Sequence, residues 1–277
     1  MKDSVLFAIV TYKEKYFECL SYLSLLKSFE NFNKGTALNI VVFDNTDQAD
    51  WNVEVQQKSN VRLHYFHQND NRGISFAYNR IYDFALKNNF EWIVFLDQDT
   101  TLPLETYEVY TNKIENSAQH LLAAPIVYAN SNILSPCKTN FLHKLFADEI
   151  VPGTADLKHT TCINSGLMVH TKLFGSIGGY DENLKLDFCD HDFIERIKRE
   201  VKTLEILDVR VIQDFSTDNN TKAQSIFRYK IFIEDYKKYS KNRNKMLLFL
   251  RIDLKHLLQL TAKFRTLEFV KIRLNIS

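Results

Sequence analysis

The chain alternates between short runs that are almost wholly apolar and longer stretches in which apolar residues return every three or four positions. Residues 5–10, VLFAIV, are apolar throughout, as a strand covered on both faces would be. LNIVVFDN (38–45), VRLHYFHQ (61–68) and EWIVFLD (91–97) predict three further strands. Between them, YFECLSYLSLLKSF (16–29) and ISFAYNRIYDFALKNN (74–89) have helical spacing. Strand and helix in alternation predict a parallel sheet with helices on both faces. Ligands of such sheets lie beyond the carboxyl ends of the strands. Thr11, Asp44, Asn45, Asp97 and Asp99 would gather there.

After residue 103 the pattern loosens. It predicts a helix near 104–118, a strand over LLAAPIVYA (121–129), and a loop or lid over the polar, mixed residues 129–160. TCINSGLMVH (161–170) reads as another strand and GSIGGYDENL (175–184) as a glycine-rich turn. A helix over DHDFIERIKREV (190–201) and a strand over TLEILDVRVIQDF (203–215) come next. From about 222 the chain reads as helix with basic residues. The division is an α/β domain over 1–220 and a helical extension over 221–277.

The 277 residues are 45% hydrophobic and 25% charged, enough for a sizeable soluble core. A net charge of +1 gives no global case for nucleic-acid binding. Cys19, Cys137, Cys162 and Cys189 form no Cys-x-x-Cys pair and read as buried thiols. The first apolar run is short, and the charged Lys13, Glu14 and Lys15 come soon after it, so it reads as a strand, not a signal segment. No apolar run reaches bilayer-spanning length. These features lead us to expect a cytoplasmic protein that can touch the membrane from its inner face.

Candidate chemistry centres on WIVFLDQDTTLP (92–103), where Asp97 and Asp99 end an apolar run. Two carboxylates at the end of a rigid element can hold a hard divalent ion on a diphosphate, offsetting its growing charge as a sugar departs. The same spelling, Asp-x-Asp-x-Thr, suits a haloacid dehalogenase-type phosphatase with Asp97 as nucleophile, although that nucleophile usually follows the first strand. An Asp capping the next helix would also explain it. In FDNTD (43–47), Asp44 can accept the imide N–H of a uracil or thymine, or cap a turn. NDNRGISFAYN (69–79) sets Asn71 and Gly73 before a helix start, a place that favours phosphate. LDFCDHDFIERIKR (186–199) offers Asp187, Asp190, Asp192 and Glu195, either as a base for an acceptor hydroxyl or as helix N-terminal charges.

Taken in order, AIVTYK, VVFDNTD, NRGISFAYN, WIVFLDQDTTLP, INSGLMVH, IGGYDENL and LDFCDHDFIER resemble the family 2 glycosyltransferases of the GT-A fold. LDQDT and the D-x-x-D-x-D-F run are most like bacterial rhamnosyltransferase-type members. The resemblance implies a Rossmann-like α/β domain and a metal-dependent, inverting transfer from a nucleotide-diphospho-sugar to a bacterial surface polysaccharide, with dTDP-rhamnose one such donor. Thr11 and Asp44 would contact the donor's pyrimidine, Asn71 and Gly73 its diphosphate pocket. Asp97 would face the ribose or metal region, and Asp99 would ligate Mg²⁺ or Mn²⁺. Asp190 matches the general base, and Asn164, Gly179 and Asp192 would shape the acceptor side. Family members often carry a metal-ligating His after the last strand, where this chain has Gln213, followed by Asp214. A silent glycan- or nucleotide-binding scaffold is a further alternative. In the tail, Met246, Leu247, Leu250, Leu254, Leu257, Leu258 and Thr261 share a helical face among basic residues. Such a helix would lie on an anionic membrane through 244–277, near a lipid-linked acceptor, or pack on the domain or on a second subunit in a homo-oligomer.

Overall fold

A computed structural model describes residues 4–32, 35–47, 60–116, 120–139, 144–145, 150–214 and 220–275. In chain order the first half comprises β1 (Val5–Thr11), α1 (Leu20–Phe32), β2 (Leu38–Asp44), β3 (Val61–His67), α2 (Ile74–Lys87), β4 (Trp92–Asp97), β5 (Thr100–Thr101) and α3 (Thr106–Asn116). The second half begins with β6 (Leu122–Ala129), β7 (Asn132–Ser135), β8 (Cys137–Thr139), β9 (Lys144–Leu145), β10 (Gly153–Asp156), β11 (Thr160–Thr161) and β12 (Met168–His170). It continues through α4 (Thr171–Ser176), α5 (Cys189–Glu200), β13 (Thr203–Gln213), α6 (Lys222–Ser240) and α7 (Lys245–Leu248). A π-helical turn (Phe249–Asp253) leads into α8 (Leu254–Phe264) and α9 (Glu268–Asn275).

Among the described residues, ten strands form one sheet in the order β10-β13-β6-β12-β4-β1-β2-β3, with β5 on β13 and β7 on β6. The β4-β1-β2-β3 half is parallel, as expected. Beyond it the sheet is mixed, because β12 runs antiparallel to both β4 and β6. The chain leaves β1 for β2 and β3, then returns to the other side of β1 as β4. That reversal is a topological switch point, where loops diverge and leave a crevice. The register places Thr11 beside Asp44, and Val10 beside Asp97.

Alternating side chains of β1 serve two cores. Leu6, Ala8 and Val10 face a cluster with residues of α2, α5 and α6, while Val5, Phe7 and Ile9 face one with residues of α1 and α3. Each fully buried Val, Leu, Ile or Phe contributes roughly 1.5–3 kcal/mol, so β1 is anchored from both sides. All four cysteines are buried.

Two expectations need revision. The 129–160 stretch is not simply loop: β7, β8, β10 and β11 lie within it, and β8, β9 and β11 make a small separate sheet. Residues 140–143 and 146–149 of that stretch lie outside the described set. These strands are short and mostly polar, so periodicity has little to act on. The strand expected over 161–170 is interrupted: Leu167 N–H closes a turn onto Asn164 O at 2.9 Å, and only Met168–His170 joins the main sheet.

The C-terminal helices share the core that backs β1 on its α2 side. Thr221 and Gln224 form a capping box that starts α6. Tyr229, Phe232, Ile233, Tyr236, Tyr239, Leu257 and Phe269 belong to the same cluster as Leu6 and Ala8. The apolar face anticipated in the tail is therefore divided: Leu257 is buried, whereas Met246, Leu250 and Leu258 are exposed. Among the described residues no helix is long and apolar enough to cross a membrane.

Candidate active site

The parallel half brings four predicted residues to the switch point. Thr11 is fully buried and its Oγ1 has no hydrogen-bond partner among the described residues. Asn45, just past β2, likewise leaves a buried Oδ1 unpartnered. Asp44 accepts the Tyr65 hydroxyl at 2.6 Å and the Thr46 N–H at 2.9 Å. Asp97 accepts the Ser165 hydroxyl at 2.5 Å on one oxygen and the Tyr78 hydroxyl at 3.3 Å on the other. Burial pushes the Asp97 carboxyl up, the nearby Asp190 charge adds to the rise, and the two hydroxyls oppose it. Held by both oxygens at the end of a fourth strand, Asp97 is placed as an acceptor and offers little to the phosphatase reading.

Asp99 follows in the turn between β4 and β5. Burial, then the Asp97 charge, raises its carboxyl to about 6. Gln213 ends β13, opposite Thr100. Its amide N–H donates to Asp99 Oδ1 and its carbonyl accepts the Thr100 hydroxyl at 2.7 Å. An amide nitrogen so oriented offers no lone pair to a metal. Asp214 donates its backbone N–H to Asp99 O at 3.1 Å; Phe215 and Ser216 lie outside the described residues. Among the described residues no group of three or more His, Cys, Asp or Glu side chains is gathered to hold a metal. The pair Asp97 and Asp99 supplies two hard oxygen donors, which suits Mg²⁺ or Mn²⁺ only if a ligand completes the shell.

At the start of α2, Asn71 Oδ1 accepts the Gly73 N–H at 3.1 Å, and Asp47 Oδ1 accepts the Asn71 N–H at 3.0 Å. The structure gives Gly73 a packing reason. Its φ is +95°, and an added Cβ would lie 2.5 Å from Lys185 O. Helix and segment meet here without a side chain between them.

On the other side, Asn164 Oδ1 accepts the Tyr180 hydroxyl at 2.7 Å. Gly179 has φ +70° and no room for a Cβ beside Asn79 Oδ1, 2.6 Å away. Asn79 in turn brackets Tyr180 through its N–H and C=O. Asp190, second residue of α5, accepts the His191 N–H at 2.7 Å, and no Lys or Arg pairs with it among the described residues. Asp192 is different. Its oxygens pair with Arg196 Nε at 2.8 Å and an Arg243 amino group at 3.0 Å. Asp187 is paired with Arg228, and Glu195 with Arg243. Asp190 is thus set apart from its acidic neighbours, and its charge reaches Asp97.

Ser165, Tyr78 and Tyr65 were not singled out in the sequence. Tyr78 stands four residues after Ile74 on the buried face of α2, and a polar hydroxyl there was a usable signal. Nothing local marks Ser165 or Tyr65.

The sequence model described as glycosyltransferase like family 2 matches residues 13–259. The dTDP-rhamnosyl transferase RfbF of Shigella flexneri is 23% identical over 199 residues. That match covers 71% of this chain and 64% of the relative, just under two thirds of its length. The structure of S. aureus TarS 1–349 in complex with UDP-GlcNAc aligns with a TM-score of 0.55 at 13% identity, over 99% of this chain and 79% of that one. The mannosyltransferase PcManGT from Pyrobaculum calidifontis, in complex with GDP-Man and Mn²⁺, aligns at 0.53 and 13%, over 87% and 65%. Such identities speak to the fold alone, and the fold is GT-A. With the family model spanning most of the chain, the protein belongs to the glycosyltransferase like family 2.

Proposed function

We propose that this enzyme transfers L-rhamnose from dTDP-rhamnose, with inversion, onto a growing bacterial surface polysaccharide. The observation that carries the nucleotide site is the pair of buried, unpartnered atoms Thr11 Oγ1 and Asn45 Oδ1. A buried polar atom left unsatisfied costs roughly 1–3 kcal/mol, and a ligand that completes its hydrogen bonding recovers that. Thr11 and Asp44 meet the donor's pyrimidine, with Asp44 taking the imide N–H beside the Tyr65 hydroxyl. Asn71 and Gly73 line the diphosphate side. The relative from Shigella flexneri supports dTDP-rhamnose as the donor.

Asp99, with Asp97, holds a Mg²⁺ or Mn²⁺ ion in this reading, and the half-buried, mutually repelling carboxylates are groups a cation would relieve. When bound, the ion offsets charge growing on the leaving diphosphate. Asp190 receives the acceptor hydroxyl's proton as that oxygen attacks the sugar. Asn164 and Gly179 shape the acceptor side, while Asp192 contributes by holding α5 to Arg196 and Arg243.

A thermal-shift panel of dTDP-rhamnose, UDP-GlcNAc and GDP-mannose, each with Mg²⁺ or Mn²⁺, tests the donor. A donor at about 100 times its Kd stabilises by about 2.7 kcal/mol. We expect dTDP-rhamnose with a metal to give the largest shift and to be turned over. Stabilisation by GDP-mannose alone would sink the donor assignment, binding without turnover would mark a silent scaffold, and release of phosphate from simple esters would revive the phosphatase.

A lipid-linked acceptor would place the protein against the membrane. The exposed Met246, Leu250 and Leu258, with the exposed Lys245, Lys255 and Lys263 beside them, support this. Flotation with anionic liposomes should fall when the three apolar residues become Glu; undiminished flotation would refute the contact.

A further inference from the structure

The three residues before Phe188, the cap of Asp190's helix, are held by a carboxylate 48 to 50 positions away in sequence. Asp235 lies in α6 and is fully buried. Its Oδ1 accepts the Lys185 N–H at 3.0 Å, and its Oδ2 accepts the N–H groups of Leu186 and Asp187, both at 2.9 Å. Three consecutive backbone amides thus converge on one fixed charge, as they would on a bound anion. The cation near Asp235 is Lys238, at 4.0 Å.

The same segment is fixed from its other side by α2. Ser75 Oγ donates to Leu184 O at 2.5 Å, and Ile74 N–H to Lys185 O at 2.7 Å. α6 adds two more supports. Arg228 pairs with Asp187 through both amino groups, and Phe188 stacks on Tyr239 with ring centres 4.8 Å apart. Phe188 itself has φ 64°, a left-handed conformation that a non-glycine residue keeps only when its surroundings hold it. α5 begins at the next residue, and Asp190 is the one after.

We infer that Asp235 is a positioning residue for sugar transfer. It fixes the 185–187 backbone, which sets where α5 begins and where the Asp190 carboxylate points. α6 is then a working part of the catalytic apparatus, although it lies in the C-terminal extension. This rests on Asp190 being the base. Asparagine at 235 keeps the shape but turns an N–H₂ group toward amides that need an acceptor.

The test is a double-mutant cycle on the full chain, following dTDP release from dTDP-rhamnose with Mn²⁺, water serving as acceptor. Asp235→Asn should lower kcat about 10- to 100-fold, the scale of loss when a reacting group is misplaced by about 1 Å, with KM for the donor within about twofold. In an Asp190→Asn background the same change should alter the residual rate less than about twofold, because it acts through the missing group. Near-normal kcat in Asp235→Asn, or the same fold loss in both backgrounds, overturns the proposal directly. Near-normal kcat in Asp190→Asn overturns it through its premise, and the single variants tell the two failures apart. Thermal melts with and without dTDP check folding. If Asp235→Asn does not fold, Arg228→Gln, which is partly exposed, enters the same cycle with the same criteria and a smaller expected loss.

Discussion

At the carboxyl ends of β1 and β2, two polar atoms are buried without partners among the described residues; on α5 and α6, two buried carboxylates are each held by more than one donor. The first two are Thr11 Oγ1 and Asn45 Oδ1. Asp192 has two arginines, and Asp235 has three backbone amides. An unsatisfied polar atom lowers stability and is retained where a ligand completes it, whereas a saturated one specifies the shape of a loop or helix. The contrast sorts the acidic residues of LDFCDHDFIER. Asp187, Asp192 and Glu195 are committed to arginines, and Asp190, paired with no Lys or Arg among the described residues, is the carboxylate the proposed reaction uses.

The change expected to have the largest effect tests Asp190. Asp190→Asn should reduce transfer about 10²- to 10⁴-fold while dTDP affinity, read by calorimetry, stays within about twofold. Near-normal transfer would erase the distinction between Asp190 and its neighbours. Next, Asp192→Asn should cost about 1.5–3 kcal/mol by weakening the charge-assisted bonds from two half-buried arginines, visible as a lower thermal midpoint. A variant as stable as wild type, with altered acceptor use, would instead return Asp192 to the sugar side. Third, Gln213→His should tighten Mn²⁺-dependent donor binding about tenfold, read by metal titration, because an imidazole supplies the lone pair that the amide turns away. Fourth, Thr11→Val removes an unpartnered hydroxyl at nearly constant volume. It should leave the free protein unchanged or up to about 1 kcal/mol more stable, and weaken nucleotide binding. Loss of stability without loss of affinity would mean the hydroxyl is structural after all.

The smallest effect concerns pH. Burial lowers the His256 pKa, against the nearby Asp187 and Asp253 charges, and its ring packs edge-on to Phe232 of α6. The unfolded chain therefore binds this proton first as pH falls. Stability is full above the unfolded value of about 6.5 and declines below it. Between about pH 7.5 and 5.5, wild type should lose slightly more thermal midpoint than His256→Phe.

What was legible in the sequence divides along the same line. The parallel half declares itself, because strands buried on both faces are continuous apolar runs that end in polar residues at the sheet edge. Thr11, Asp44 and Asp97 come together for that reason alone. The other half depends on partners far apart in the chain. Nothing near Asp192 announces Arg243, 51 residues on, and nothing near Lys185 announces Asp235. The glycine at 73 is legible as a place of close backbone approach, but that Lys185 lies beside its missing Cβ is not. β12 was visible as apolar sequence, yet its antiparallel direction was not, since alternation carries no sign of strand polarity. Gln213 was recognisable only as a departure from a pattern; its bond to Asp99 needed coordinates.

The contact between Gly73 and Lys185 also bears on how such an enzyme can be recombined. The start of α2, on the proposed donor side, and the segment before α5, on the proposed acceptor side, touch there backbone to backbone, with Ile74 N–H on Lys185 O. A chimera that takes its acceptor half from a relative inherits a segment cut to fit a glycine at this one position. Shuffling donor and acceptor preferences between relatives should therefore succeed only when residues 73 and 185 travel as a pair, even though more than a hundred residues separate them in the gene.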